Sequence, residues 1–208
     1  MEVLMIDKVQ RNARRPESDE YGMQMLTRMN ERHQTLALWG FSHIDLENAK
    51  AVLDVGCGGG RNIKNIMEMA KGAKVFGIDY SEMSVRTSIE NNKYAVASGR
   101  VSVINGTAED LPYDENSFNA VTAFETVYYW NDIEKCFESI RKCLKDGGQF
   151  LVCNEDCDTK GIEETSKELK MNLYTADDLK KIMENAGFSK AEAFSHENGR
   201  WVCAVGTK

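Results

Sequence analysis

The sequence predicts an α/β fold in three layers, with a seven-stranded, mostly parallel sheet that ends in an antiparallel hairpin and follows an N-terminal helical extension. Three observations predict it. From Ala51 onward, short β-branched runs alternate with longer amphipathic stretches, the pattern of βα units in a parallel sheet. Near the C-terminus two strand-like runs flank Glu197-Asn198-Gly199, an Asn-Gly hairpin turn. The 208 residues contain only two prolines, Pro16 and Pro112, and no Gly/Ser/Pro-rich linker, so one compact domain is expected.

The strands are expected at Ala51–Val55, Lys74–Asp79, 100–104, 119–124 and 149–154, with helices over 61–70, 82–97 and 133–144. Gly147-Gly148 would close the third of these helices. Another helix follows Thr175 as N-cap and stops at Gly187, and the hairpin uses 190–196 and 200–206. Residues 1–45 stand apart. Met25, Met29 and Leu36 fall at helical spacing among charges between 21 and 38, which predicts an added helix, either a lid or a pad on one face. The α/β domain itself is placed at 46–208.

A net charge of -7 weighs against nucleic acid, whose binding needs phosphate-neutralising Lys and Arg. The one basic cluster, Arg11 with Arg14-Arg15, is short and is followed by acids. The six cysteines follow no framework spacing and read as reduced thiols. With no basic signal-like start and no apolar run of spanning length, the expectation is a cytoplasmic protein away from membranes, monomeric or homodimeric.

The chemistry concentrates in Asp54-Val55-Gly56-Cys57-Gly58-Gly59-Gly60. This turn lies between a buried strand and a helix, where backbone amides can approach a ligand. A dinucleotide fingerprint from Gly56 needs glycine at the sixth position, and Arg61 stands there. A phosphate-binding P-loop needs Lys-Ser/Thr after the glycines, and Arg61-Asn62 follows instead. Acids Asp54, Asp79 and Glu109 each fall at or just past a predicted strand's C-terminal end, where open α/β sheets bind ligands.

These residues resemble the class I S-adenosylmethionine-dependent methyltransferases, a Rossmann-like family whose first motif Asp/Glu-x-Gly-x-Gly-x-Gly is matched by Asp54, Gly56, Gly58 and Gly60. The later motifs match Val75 to Ser81, Gly106 to Tyr113, Phe118 to Val121 and Lys145 to Phe150 in the family's order. The resemblance implies S-adenosyl-L-methionine as cofactor and S-adenosyl-L-homocysteine as product. It implies that Asp54 helps hold the donor's amino-acid end, Asp79 accepts its ribose hydroxyls and Glu109 faces adenine. Cys57, Asn62, Tyr80, Ser81, Thr107, Ala108, Phe124, Glu125 and Thr126 complete the implied donor site.

In the same family the acceptor meets the donor after the fourth strand, here at Phe124-Glu125-Thr126-Val127-Tyr128-Tyr129-Trp130. Tyr128, Tyr129 and Trp130, with Trp39 from the N-terminal helix, are the candidate acceptor wall, able to exclude water and meet a sulfonium by cation–π attraction. The Asn/Asp-Pro-Pro-Tyr/Phe signature of nucleic-acid and protein amino methylation is absent, and the sequence resembles the small-molecule group that includes ubiquinone/menaquinone-biosynthesis-like members. Transfer is in-line and needs neither metal nor covalent intermediate. If the acceptor needs a base, His33, Glu125 and Glu155 are the candidates. The competing readings are a non-catalytic binding module acting through a protein partner and arsenite methylation through Cys153, Cys157 and another thiol. A nicotinamide oxidoreductase ranks last.

Overall fold

A computed structural model of the chain describes residues 7–17, 19–158 and 160–208. Its seven strands are β1 (Ala51–Val55), β2 (Lys74–Asp79), β3 (Val101–Asn105), β4 (Phe118–Phe124), β5 (Leu144–Asn154), β6 (Lys190–Ser195) and β7 (Val202–Thr207). They form one sheet in the order β3-β2-β1-β4-β5-β7-β6. β1 to β5 pair in parallel, while β7 runs antiparallel to both neighbours, with Cys153 opposite Cys203 and Ser195 opposite Val202. The order reverses between β1 and β4, so their C-terminal ends diverge and open a crevice.

Successive strand residues feed opposite layers. Leu53, Phe150 and Val152 join a core with Phe137 and Ile140 of α6 (Ile133–Cys143) and Leu179 and Met183 of α8 (Ala176–Asn185). Val52, Leu151 and Cys153 join the other core, with Ile63 and Ile66 of α3 (Arg61–Met69) and Leu36 and Phe41 of α2 (Gln34–Phe41). This two-sided burial makes the central strands nearly continuous apolar runs. Among the described residues no helix is long and apolar enough to cross a membrane.

Departures from the sequence-based expectations fall in the helices and at the start of β5. The helix expected over 21–38 breaks at His33 into α1 (Glu20–Arg32) and α2; His33 leaves helical geometry at φ -89° and ψ 6°. The helix expected over 82–97 breaks at Asn92 into α4 (Glu82–Asn91) and α5 (Lys93–Ala97). There the side-chain amides of Asn91 and Asn92 donate to the carbonyls of Gly59 and Gly60, at 2.9 and 3.2 Å. Gly147-Gly148 do not close α6, which ends at Cys143. Fully buried Leu144 already pairs with Phe118, and the glycines serve the irregular start of β5, where a Cβ on Gly148 would crowd the carbonyl of Asn119. A short helix, α7 (Glu163–Leu169), was not expected from the sequence.

Gly60 has φ +78°, and a Cβ there would collide with Ser88 and Asn92. Left-handed strain and overpacking together predict that Gly60→Ala costs about 2–4 kcal/mol. Gly72→Ala, where nothing lies within 4 Å, should stay within about 0.5 kcal/mol of the parent. Urea unfolding of both variants checks this; equal midpoints would refute the constraint on Gly60.

Candidate active site at the ends of β1, β2, β4 and β5

The glycine turn folds back onto β2. The amides of Gly56 and Cys57 donate to the carbonyl of Ile78, at 2.8 and 3.2 Å. The amide of Gly58 donates to Asp79 Oδ2 at 2.9 Å, and Asp79 Oδ1 accepts from the Ser81 amide at 2.9 Å. Burial raises the Asp79 pKa, opposed by these two hydrogen bonds. Asp54 lies deeper. Its Oδ1 accepts from Thr122 Oγ1 at 2.7 Å, and burial pushes its pKa to about 7. It lines none of the cavities described below, and its bond to Thr122 ties the end of β1 to β4.

Above Asp79 runs a groove of about 100 Å³ lined by Asp79, Tyr80, Thr107, Ala108, Glu109, Thr126, Tyr129 and Trp130. Two further walls, Arg14 and Asn131, belong to no sequence motif. Arg14 lines this groove, and residues 14–16 pack against Tyr80 and Ser81 beside it. Tyr80 donates its hydroxyl to the Arg14 carbonyl and Ser81 Oγ donates to Pro16 O. The Arg14 guanidinium donates to the carbonyls of Tyr129 and Leu169 and to Asn131 Oδ1, at 3.3 to 3.5 Å. Ser81, besides this contact, caps α4 through the Ser84 amide. The only sequence signal for Arg14 was the Arg14-Arg15 pair.

A smaller hollow lies across Gly56 from the groove, where Cys57, Gly58, Asn62 and Phe124 meet Met29, His33 and Gln34. Burial, reinforced by Asp79 and Asp54, keeps the Cys57 thiol protonated. Phe124 packs against Phe41, ring centroids 4.7 Å apart.

The three candidate bases converge from three distant segments. His33 Nε2 lies 3.5 Å from Glu125 Oε2 and 3.9 Å from Glu155 Oε2, and one ligand atom of each residue falls within 4.8 Å of the other two. Glu125 follows β4 with φ +55°, an uncommon backbone state for a side-chain-bearing residue. Its Oε2 accepts from the Tyr128 hydroxyl at 3.1 Å and its Oε1 from the Glu155 amide. Burial raises Glu125 to about 8 and lowers His33, so at neutral pH the pair is largely uncharged despite its ion-pair spacing. Glu155 is held from both sides by Arg32 (3.1 Å) and Arg200 (3.6 Å), and Arg200 also binds Asp156 at 2.7 Å. A cavity of about 180 Å³ opens over this group, walled by Tyr128 and Tyr129, whose rings meet edge-on at 4.5 Å.

The methyltransferase domain family model matches residues 46–189. The chain belongs to the class I S-adenosylmethionine-dependent methyltransferases. It is 29% identical to a putative methyltransferase of Bacillus subtilis, YrhH, over 64% of this chain and 73% of that one. It is 25% identical to the demethylmenaquinone methyltransferase of Oceanobacillus iheyensis, over 86% of each. A chain in the complex between the Haloferax volcanii Trm112 methyltransferase activator and the putative methyltransferase has the same fold, with TM-score 0.80, 20% identity and 98% of each chain covered.

The groove of this methyltransferase fits S-adenosylmethionine by the chemistry of its walls. Asp79 and Glu109 offer carboxylate acceptors beside the apolar floor of Val55, Ile78 and Ala108, and Arg14, the one cation among the described residues lining the groove, is engaged by carbonyls. Hydroxyl and amino donors are welcome there and a pyrophosphate is not. Two expectations need correction. Trp39 is not brought to the cavity; it packs against His43, His196 and Trp201 at 5.0 to 6.1 Å, where α2 faces the hairpin. The arsenite thiols are separated by the sheet: Cys153 is sealed with Cys203 in the core facing α2, whereas Cys157 packs against the opposite core. Among the described residues no group of three potential metal ligands contains a thiol.

The raised Glu125 pKa has a stability consequence. Its folded value lies above the ordinary 4.5 at about 8, so this carboxyl's contribution is full below about pH 4.5 and is lost as pH rises through about 8. Glu125→Gln cannot ionise, so its Tm relative to the parent should climb between about pH 5 and pH 8, by at least about 2–4 °C. Thermal unfolding across that range checks it; a flat difference would show an ionised Glu125.

Proposed function

We propose that this methyltransferase acts on a small molecule held in the cavity over Glu125, with His33 receiving the acceptor's proton. The observation that carries the reading is the convergence of His33, Glu125 and Glu155 where that cavity meets the glycine-loop hollow. His33 and Glu125 line both spaces, and Tyr129 lines both the cavity and the groove. When bound, S-adenosylmethionine supplies a methyl group on a positively charged sulfur. Asp79 and Glu109 orient the donor through its hydroxyl and amino hydrogens, and the backbone of Gly56 to Gly58 sets the close approach. Tyr128 and Tyr129 keep water from the reacting centre. His33, neutral through burial, is ready to accept a proton. Residues 14–16, held against Tyr80 and Ser81, give the N-terminal extension the lid role rather than that of a pad. The cavity is smaller than the usual range for drug-sized ligands, which fits a compact acceptor.

A second reading is favoured by the Haloferax likeness: the enzyme works with an activator subunit. In that case the purified chain binds donor product but turns over only when the activator is added, whereas the primary reading requires turnover by the chain alone.

Calorimetric titration should show S-adenosylhomocysteine binding and no NAD binding; the reverse would overturn the donor assignment. Asp79→Ala should weaken S-adenosylhomocysteine at least about tenfold, the loss of hydrogen bonds to a charged group. His33→Ala should lower kcat by about 10²–10⁴ with a far smaller change in donor affinity. An unchanged kcat would remove His33 from the chemistry.

A further inference from the structure

We infer that the acceptor is a primary or secondary amine, bound as its ammonium in the hole between His33 Nε2, Glu125 Oε2 and Glu155 Oε2; this rests on the methyl-transfer reading above and names its substrate class. The first argument is the count of donors and acceptors. Three acceptor atoms face one point, and an ammonium brings two or three N–H donors, whereas a phenol or alcohol brings one. The second is spacing. Acceptors placed about 2.9 Å from a tetrahedral nitrogen lie about 4.7 Å apart. One ligand atom of each residue lies within 4.8 Å of the other two, with the two histidine edges at 3.5 and 3.9 Å, so entry of a nitrogen opens the histidine edges by about 1 Å. A divalent ion with ligands at about 2.1 Å wants tetrahedral edges near about 3.4 Å, which the histidine edges approach, so the ion is separated from the ammonium by the EDTA arm of the test below.

The third argument is charge. Of the arginines around the cavity, Arg32 meets Glu155, Arg200 meets Glu155 and Asp156, and Arg28 faces Asp7 at 4.0 Å. Among the described residues no arginine or lysine lies within ion-pair distance of Glu125, whose partners are His33, the Tyr128 hydroxyl and the Glu155 amide, and an ammonium entering beside it favours its ionised form over the neutral one that burial favours. A carboxylate accommodates up to about four hydrogen bonds, so room for a cation's donors remains. The faces of Tyr128 and Tyr129 beside it add cation–π attraction. The reaction balances without any further reagent. One ammonium proton passes to His33 Nε2, the freed nitrogen lone pair forms a bond to the methyl carbon, and the carbon–sulfur bond breaks with its electrons left on sulfur. The product leaves as an N-methylammonium ion.

The test incubates the whole chain with methyl-labelled S-adenosylmethionine and a metabolite extract split into cationic, neutral and anionic fractions, and locates the label by mass spectrometry. Label on nitrogen in the cationic fraction is expected. Label on oxygen, carbon or sulfur overturns the amine assignment and leaves the enzyme reading standing. No label in any fraction, with S-adenosylhomocysteine still bound, overturns both. With the amine so found, Glu125→Gln should raise its KM at least tenfold more than it lowers kcat; an unchanged KM overturns the site. Turnover should survive EDTA, and loss restored by a divalent ion would replace the ammonium by a metal.

Discussion

The site depends on one carboxylate, Asp79, and the two backbone amides that it binds. The Gly58 amide comes from the turn after β1 and the Ser81 amide from the start of α4, so a single buried side chain ties two crossover connections to the end of β2. A buried carboxylate is costly without hydrogen bonds, and these two offset much of that cost. The turn is then held from its other side by Asn91 and Asn92, placed to reach Gly59 and Gly60 by the break between α4 and α5. Glycine at position 60 follows from this closeness, because Ser88 and Asn92 occupy the space a Cβ would need.

The reactive end is organised by a second carboxyl under different physics. Glu125 ends β4 in a left-handed conformation that costs on the order of 1 kcal/mol, while its amide still bonds the Cys153 carbonyl and extends the β4–β5 ladder. That twist accompanies the placing of its carboxyl beside His33, Tyr128 and the Glu155 amide. Deep burial then makes the proton-loving state of Glu125 and the proton-poor state of His33 the stable ones. A neutral pair avoids the desolvation penalty of a buried ion pair.

Residues of the N-terminal extension and of the C-terminal hairpin meet over this site. Arg32, at the close of α1, and Arg200, just before β7, both reach Glu155, while Arg14 spans Tyr129, Asn131 and Leu169. Of the basic cluster that stood out in the sequence, Arg14 thus spends its hydrogen bonds on the protein's own carbonyls and lies 6.0 Å from the Tyr129 ring, while Arg15 lies over the Tyr80 ring at 5.4 Å.

Alternating apolar runs between Ala51 and Asn154 determined the parallel strands to within a residue or two at most ends, because residues buried on both faces leave a strong local signal. The Asn-Gly turn did the same for the hairpin. The glycine motif and the acids at strand ends were legible for a related reason: turn sterics and strand-end placement are local. Helix breaks at His33 and Asn92 were not legible, since each is stabilised by a partner far along the chain. Trp39 shows the same limit from the other side, a residue of the right type carried to the hairpin by the rotation of α2. By itself, then, the sequence determined the layered sheet and the loop that receives the donor. The meeting of His33, Glu125 and Glu155, and the neutral state that burial imposes on the first two, were decided only by the tertiary structure, because distance across the fold and exclusion of water are written in no local run of residues.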